Sequence, residues 1–370
     1  MSLSAIEIFL LIILSQGIFL SIAIQLVPNK NASANKILTL LLIIASVMLF
    51  GRIAIYHFKF AYLWRVATLI DTTLYLFGPF LYCYIRRLTF HEDKPYRLPF
   101  VHFMPAVVYL LYFAWTLTMN VNDFNVLYFS GKLTYVFLLT ELIGIVSLSF
   151  YAFKSYKLFQ SFKTNQVHEI SYSQSISKYI KILLLALALF IALWLYSFIG
   201  FYVFRTYSTV INYNSMWLSS SIFMYFIGFY SLTQPTIFRV PLKIKSEKSA
   251  KKSRLKKEEL TILKEALDYQ IKVKKIFLKP DLSLSFLANE IDTTSNNLSW
   301  YLNQVMHKNF FEFINEYRIQ EFLAQIDLGK HQSNTILSIA LDSGFNSKST
   351  FNNAFKSIMK DTPYNYIKKR

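Results

Sequence analysis

Up to residue 238 the chain runs in long, continuously apolar stretches broken by short polar connections; from residue 239 onward apolar positions recur at helical spacing among charged ones. Seven stretches reach the length a helix needs to cross a hydrocarbon core, about 20 residues. They are 6–27, 37–58, 63–85, 100–118, 133–153, 180–204 and 216–233. None alternates as a barrel strand does, so each is expected to be a spanning helix. The first run lacks a basic leader, carries Glu7 instead, and is too long for the core of a signal peptide, so it is expected to stay uncleaved.

Charge sharpens the division. Residues 1–238 hold 16 basic and 7 acidic side chains and residues 239–370 hold 23 and 14; each part nets +9, but the second is far more densely charged. At 54% hydrophobic and 16% charged residues, the chain is not a disordered one. A single cysteine, Cys83, excludes a disulfide scaffold and a zinc site built on cysteine pairs. With seven spans the two ends lie on opposite sides. Placing the C-terminus in the cytoplasm puts Lys30, Lys36, Arg86, Arg87, Lys94, Arg97, Lys154, Lys157, Lys163, Lys178 and Lys181 inside, and only Arg52, Lys59, Arg65, Lys132 and Arg205 outside. That bias fixes the expected orientation, N-terminus out.

Several polar residues fall inside the apolar runs. Asp71 lies in the third and Glu141 in the fifth; Arg52, His57 and Arg65 lie near the outer ends of the second and third. Carboxylates in a bilayer are costly and usually face a bundle interior, which makes Asp71 and Glu141 candidates for sensing a signal. A structural ion pair, or carboxylic acids kept neutral by burial, explains them equally well. Pro79 and Pro105 are expected to kink their helices or to have no role. Tyr109, Tyr112 and Trp115 are candidates for an aromatic ligand pocket or for ordinary interface packing. No metalloprotease, nucleophile-elbow or phosphate-loop signature occurs, so no catalytic residue, metal or cofactor is expected.

Residues 243–257 read KIKSEKSAKKSRLKK, eight basic side chains against Glu247. Such a run next to a span attracts anionic lipid by about 1 kcal/mol per basic residue, contacts DNA phosphates, or serves as a solvated linker, the reading favoured here. A helix follows, with Leu260, Leu263, Leu267, Ile271 and Phe277 at helical spacing.

Beyond residue 282 short helical patterns alternate with turn residues. Ser283 is placed to cap a helix through Leu284, Leu287 and Ala288; Asp292 and Thr293 make a turn; Thr294 caps a second helix over 295–303. A long amphipathic helix carries Phe311, Ile314, Arg318, Phe322 and Ile326. Then the arrangement returns. Ile339 and Ala340 stand 52 residues after Leu287 and Ala288, Gly344 ends that helix, Asn346 or Ser347 caps the next over 348–357, and Phe351 stands 53 residues after Leu298. Thr362-Pro363 starts a last short helix. Two such helix-turn-helix units on one long helix suggest a reader of the DNA major groove. The candidate DNA-binding residues are Asn296, Ser299 and Trp300 in the first unit, and Lys348, Ser349, Thr350, Asn352, Asn353 and Lys356 in the second. Asn pairs bidentately with adenine and Lys reaches guanine, although polar helix faces are more often only solvated.

The run GFNSKSTFNNAFK at 344–356, followed by Thr362-Pro363 and Tyr366, resembles the signature of the AraC/XylS family of bacterial transcription regulators. FFEFINEYRI at 310–319 resembles that family's central linking helix, and Leu287-Ala288 with Leu298-Ser299 its first unit; the likeness covers about a quarter of the chain. The resemblance implies double-stranded DNA binding through two recognition helices on successive turns of one duplex face, and a homodimer formed by a separate domain. Trp300 and Asn353 stand where many members place Arg, which weakens any base assignment carried across. The seven-span front half is similar to a membrane-embedded subgroup seen in Bacteroidota.

The expected fold class is all-α: a seven-helix membrane bundle over 1–238, a basic linker and connecting helix over 239–278, and a cytoplasmic DNA-binding domain over 279–370. The expected function is a one-component transcription regulator of the bacterial inner membrane, its partners double-stranded DNA, the lipid bilayer and a small-molecule or membrane-derived signal. The competing readings are a transporter or channel with a DNA-binding regulatory tail, and a membrane enzyme using Asp71 and Glu141.

Overall fold

A computed structural model describes residues 5–26, 32–57, 62–91, 95–171, 176–206, 212–233, 242–243 and 257–368. Most of the basic run at 243–257, and the side chain of His57, lie outside the described residues. The chain divides into two compact units, one of Met1–Gln160 with Ser175–Lys243, the other of Ser161–Gln174 with Ile244–Arg370.

The first unit is a helical bundle. It comprises α1 (Ala5–Leu26), α2 (Ala32–His57), α3 (Tyr62–Ile70), α4 (Thr72–Thr89), α5 (Met104–Leu117), α6 (Val121–Phe129), α7 (Lys132–Glu169, which passes into the second unit), α8 (Ile176–Ile199) and α9 (Tyr213–Thr233). A two-residue strand, β1 (Phe90–His91), pairs in parallel with β2 (Leu242–Lys243). Among the described residues, six helical stretches are long and apolar enough to cross a membrane. The seventh expected span forms the 21-residue helix α9, where Ser215, Ser219, Ser220, Ser221 and Ser231 dilute the apolar run.

Two details depart from the apolar pattern. The third stretch breaks at Asp71, where α3 ends and α4 begins, and the Asp71 side chain caps no amide there. Pro105 sits in the first turn of α5, where its missing N–H costs nothing, and starts the helix instead of kinking it. The bundle surface is apolar: Ile12, Phe19, Ile22, Leu111, Leu139, Leu185 and Ile222 are all exposed. Exposed apolar surface of that extent is the reverse of what water tolerates. Inside, Arg65 is buried, donates from Nη1 to the carbonyls of Thr116 and Met119 at 3.0 and 2.9 Å, and so closes the C-terminal end of α5. Arg87 likewise donates to the carbonyl of Tyr96 from Nε and Nη2 at 3.0 and 2.7 Å.

The second unit is a chain of short helices around one long one. It comprises α10 (Lys257–Asp268), α11 (Leu284–Glu290), α12 (Ser295–Trp300, continuing as a wider turn over Tyr301–Val305), α13 (Phe310–Asp327), α14 (Ile336–Asp342), α15 (Lys348–Met359) and α16 (Pro363–Lys368). Asn309 and Glu312 form a reciprocal capping box that starts α13. Phe310, Phe313 and Ile314 of α13 enter the core of Leu263, Leu267, Leu284, Leu287, Leu298 and Leu302. Ile319, Phe322 and Ile326, two to four turns further along, enter a second core with Ile339, Phe345, Phe351 and Phe355. A single helix therefore holds both halves in register.

Polar groups lock the back of that helix. Arg318, 0% exposed, donates from Nε to the carbonyl of Phe277 at 2.7 Å, from Nη2 to Lys279 at 2.7 Å, and from Nη1 to Ser171 at 3.1 Å. Asn315 donates to the same Ser171 carbonyl at 3.0 Å. The Ser171 hydroxyl donates to the carbonyl of Leu282 at 2.8 Å, beside an antiparallel bridge between Ile170 and Ser283. Burial lowers the Arg318 guanidinium to about 9, an effect that Asp281 partly opposes, so it stays charged at neutral pH. The segment Ser161–Gln174 is thus fastened into the second unit by hydrogen bonds to its backbone.

Candidate nucleic-acid interface and bundle cavity

Helix α15 is aimed by the residues that precede it. Gly344 follows α14 with φ +92°, a left-handed residue that turns the chain sharply. A Cβ there would lie 2.5 Å from the Phe277 carbonyl oxygen and 2.7 Å from Leu278 Cα, so only glycine fits. Ser347 then caps α15, its Oγ accepting from the Thr350 amide at 3.2 Å. The helix buries Phe351, Ala354 and Phe355 and leaves Lys348, Ser349, Asn352, Asn353 and Lys356 exposed along the opposite face. That face carries two lysines and no carboxylate. Lys348, Asn352, Asn353 and Lys356 also line a groove of about 530 Å³, whose other wall includes Thr335, Leu337 and Tyr364.

One expected contact residue is displaced from this face. Thr350 is fully buried, and its hydroxyl is engaged with Ser347 Oγ at 2.9 Å and Asn346 Oδ1 at 3.0 Å. It shapes the start of α15 and does not reach outward, because the residue three positions after a cap lies over the cap itself. Thr335, Leu337 and Tyr364 escaped the sequence reading; Thr335 is legible as the cap of α14, its Oγ1 accepting from the Ser338 amide at 3.1 Å, but its position across a groove from α15 is not.

The first pair, α11 and α12, has the same local logic. Ser283 caps α11 through the Phe286 amide and Thr294 caps α12 through the Asn297 amide, both at 3.2 Å. Asp292 takes the left-handed conformation, φ 49°, in the turn between them. Asn296 is exposed and Ser299 half-buried, with Asn303 Nδ2 donating to the Ser299 carbonyl at 2.7 Å. Trp300 is half-buried and packs against the apolar core.

The candidate sensing residues come together in the bundle. Asp71 and Glu141 line one cavity of about 650 Å³ together with Arg52. Glu141 Oε1 accepts from the Trp194 indole at 2.7 Å. That ring crosses Gly144, one turn along α7, where a Cβ would stand 3.0 Å from it. Of the three aromatics proposed for a pocket, Tyr109 lines the cavity and Tyr112 and Trp115 do not. Arg65 is engaged elsewhere. Trp194, Tyr202, Tyr213 and Trp217 complete the wall; in sequence they are indistinguishable from interface aromatics.

Comparison with protein families matches residues 287–369 to a helix-turn-helix domain of the AraC type. Curated proteins and solved structures give no match to the chain. The matched segment contains α12 to α16 and most of α11, and it supports a role in DNA-binding transcription regulation.

Proposed function

We propose that the chain is a membrane-bound one-component transcription regulator: a bundle of seven spans, N-terminus outside, perceives a signal and controls DNA binding by two helix-turn-helix units in the cytoplasm. The observation that carries this reading is the family match over 287–369 in the same chain as six helices apolar enough to cross a membrane. In α15 the exposed set Lys348, Ser349, Asn352, Asn353 and Lys356 reads the major groove; in α12 Asn296 and Ser299 do so, with Trp300 at their edge. Asp71 and Glu141 belong to the sensing site. Helix α7 links the two tasks, because it lines the cavity at Thr134, Glu141 and Gly144 and contributes residues from Ser161 onward to the DNA-binding unit. A signal acts only through its different affinity for two states of that unit, and a homodimer on two half-sites provides such states.

The test is genome-wide mapping of DNA bound by the intact protein in its host, followed by footprinting of the sites with full-length protein in nanodiscs. Lys348→Ala with Asn353→Ala is expected to weaken the specific sites by at least about tenfold, one lost base contact being worth roughly 1–3 kcal/mol. Binding should also fall steeply with salt as phosphate counterions are released. Undiminished occupancy by the double variant, or recovery of the chain as a freely soluble protein, refutes the proposal.

A further inference from the structure

The bundle cavity is chemically unbalanced. Two carboxylates, Asp71 and Glu141, face one guanidinium, that of Arg52. Arg52 lies over the Trp217 ring, its Cζ 5.5 Å from the centroid. Trp217 is only 5% exposed, and its indole Nε1 finds no hydrogen-bond partner among the described residues. Much of the remaining wall is aromatic, including Tyr75, Tyr109, Trp194, Tyr202 and Tyr213. A cation between the two carboxyl groups would favour their charged forms, and a buried donor without an acceptor is costly. A volume of about 650 Å³ lies within the usual range for small-molecule sites.

We propose that this cavity binds a small organic cation, an amine or quaternary ammonium that also carries a hydrogen-bond acceptor. Its positive charge would meet Asp71 and Glu141, its methyl or methylene shell would lie against the aromatic faces, which attract cations, and its acceptor would take the Trp217 N–H. The inference rests on the sensing role proposed above and names its ligand class. The placement of the wall fits an external ligand. Arg52 lies near the end of α2, Thr134 and Glu141 in the first third of α7, Trp194 near the end of α8 and Trp217 near the start of α9. In an alternating bundle these positions share one end, and with the N-terminus outside it is the outer end.

Benzoylcholine and its uncharged isostere 3,3-dimethylbutyl benzoate form a matched pair that differs in one positive charge. Both are titrated into the full-length protein in nanodiscs, with tryptophan fluorescence as the readout and benzoate as the anionic control. Benzoylcholine is expected to quench saturably below roughly 10 mM, and the neutral ester to bind at least about tenfold more weakly. Asp71→Asn with Glu141→Gln should weaken the cation by at least about tenfold and remove its advantage over the ester, and Trp217→Phe should lower affinity for the ester-bearing cation more than for tetramethylammonium. Equal binding of ester and cation by the wild-type protein, preference for benzoate, or no saturable binding of the cation overturns the proposal, and the wild-type comparison decides even if the variants fail to fold. A footprint made on the same preparation separates the two readings. Intact DNA binding without cation binding sinks the ligand class alone; cation binding without any footprint sinks the regulator and leaves the ligand class standing.

Discussion

Replacing Arg318 by methionine keeps an unbranched apolar stem and removes the guanidinium with its charge and all its donors. The carbonyl of Phe277 then loses the donor that Arg318 provides, while Ser171 keeps the one from Asn315 and Lys279 keeps the Leu282 amide at 3.3 Å. A buried acceptor left unmade costs about 1–3 kcal/mol, and that cost falls on Phe277. Against that stands the relief of no longer burying a guanidinium, which can reach several kcal/mol when all partners are replaced together. Here the partners are backbone and stay behind, and the shorter side chain leaves unfilled space, so the orphaned Phe277 carbonyl and the lost packing dominate and the net loss is about 1–3 kcal/mol. Hydrogen exchange of the α13 amides in the full-length protein reads that loss directly, as a rate increase of about 5- to 140-fold for globally exchanging sites. Arg318→Lys is expected to recover little, since a single ammonium cannot reach carbonyls held by the spread fork. The surface pair of Lys275 with Glu321 at 2.9 Å supplies the control; Glu321→Gln should move the same rates by less than about threefold. An Arg318→Met protein whose α13 amides exchange as slowly as those of Glu321→Gln would refute the assignment of Arg318 as the lock of the domain.

Gly344→Ala combines a strained φ with contact against immovable backbone, and should destabilise the DNA-binding unit by about 2–5 kcal/mol. Gly329→Ala, at φ +76° but with nothing nearer than Gln332 Nε2 at 4.0 Å, should cost only about 1–2 kcal/mol; unfolding of the two variants side by side checks the difference, and equal losses would remove the packing argument. One alanine inserted after Gln160 turns the register of α7 by about 100°. It is expected to leave the DNA footprint in place and to abolish the effect of Asp71→Asn and Glu141→Gln on a promoter reporter; seven inserted residues should restore it, and an unaltered reporter response to the single insertion would exclude α7 as the link.

How much of this was legible in the sequence differs by kind of residue. Apolar length and helical spacing are local properties, so the apolar stretches and the caps at Ser283, Thr294 and Ser347 follow from the chain itself. Gly344 was readable for the same reason, as a left-handed residue just past a helix, although the Phe277 and Leu278 backbone pressed against it was not. The face of α15 was readable in outline, and the error at Thr350 came from counting a polar side chain as an outward one when its hydroxyl belonged to the helix start. What the sequence hid depends on distant partners. Arg318 looked like one more position on an amphipathic helix; nothing local marks it as a buried donor to carbonyls 39, 41 and 147 residues away. Ser171 lies just beyond a long apolar helix and reads as loop, yet its backbone completes the lock. The two observations have one consequence. The same polar cluster that fixes α13 also fixes the end of α7, so any change that withdraws Ser171 strips the buried guanidinium of an acceptor and is felt at the helix from which both DNA-reading halves are hung. A hydrogen-bonded cluster of this kind has few intermediate arrangements, because each carbonyl is either paired or costly. That discreteness is what a switch requires, and it lies in a handful of backbone bonds that no pattern of side chains announces.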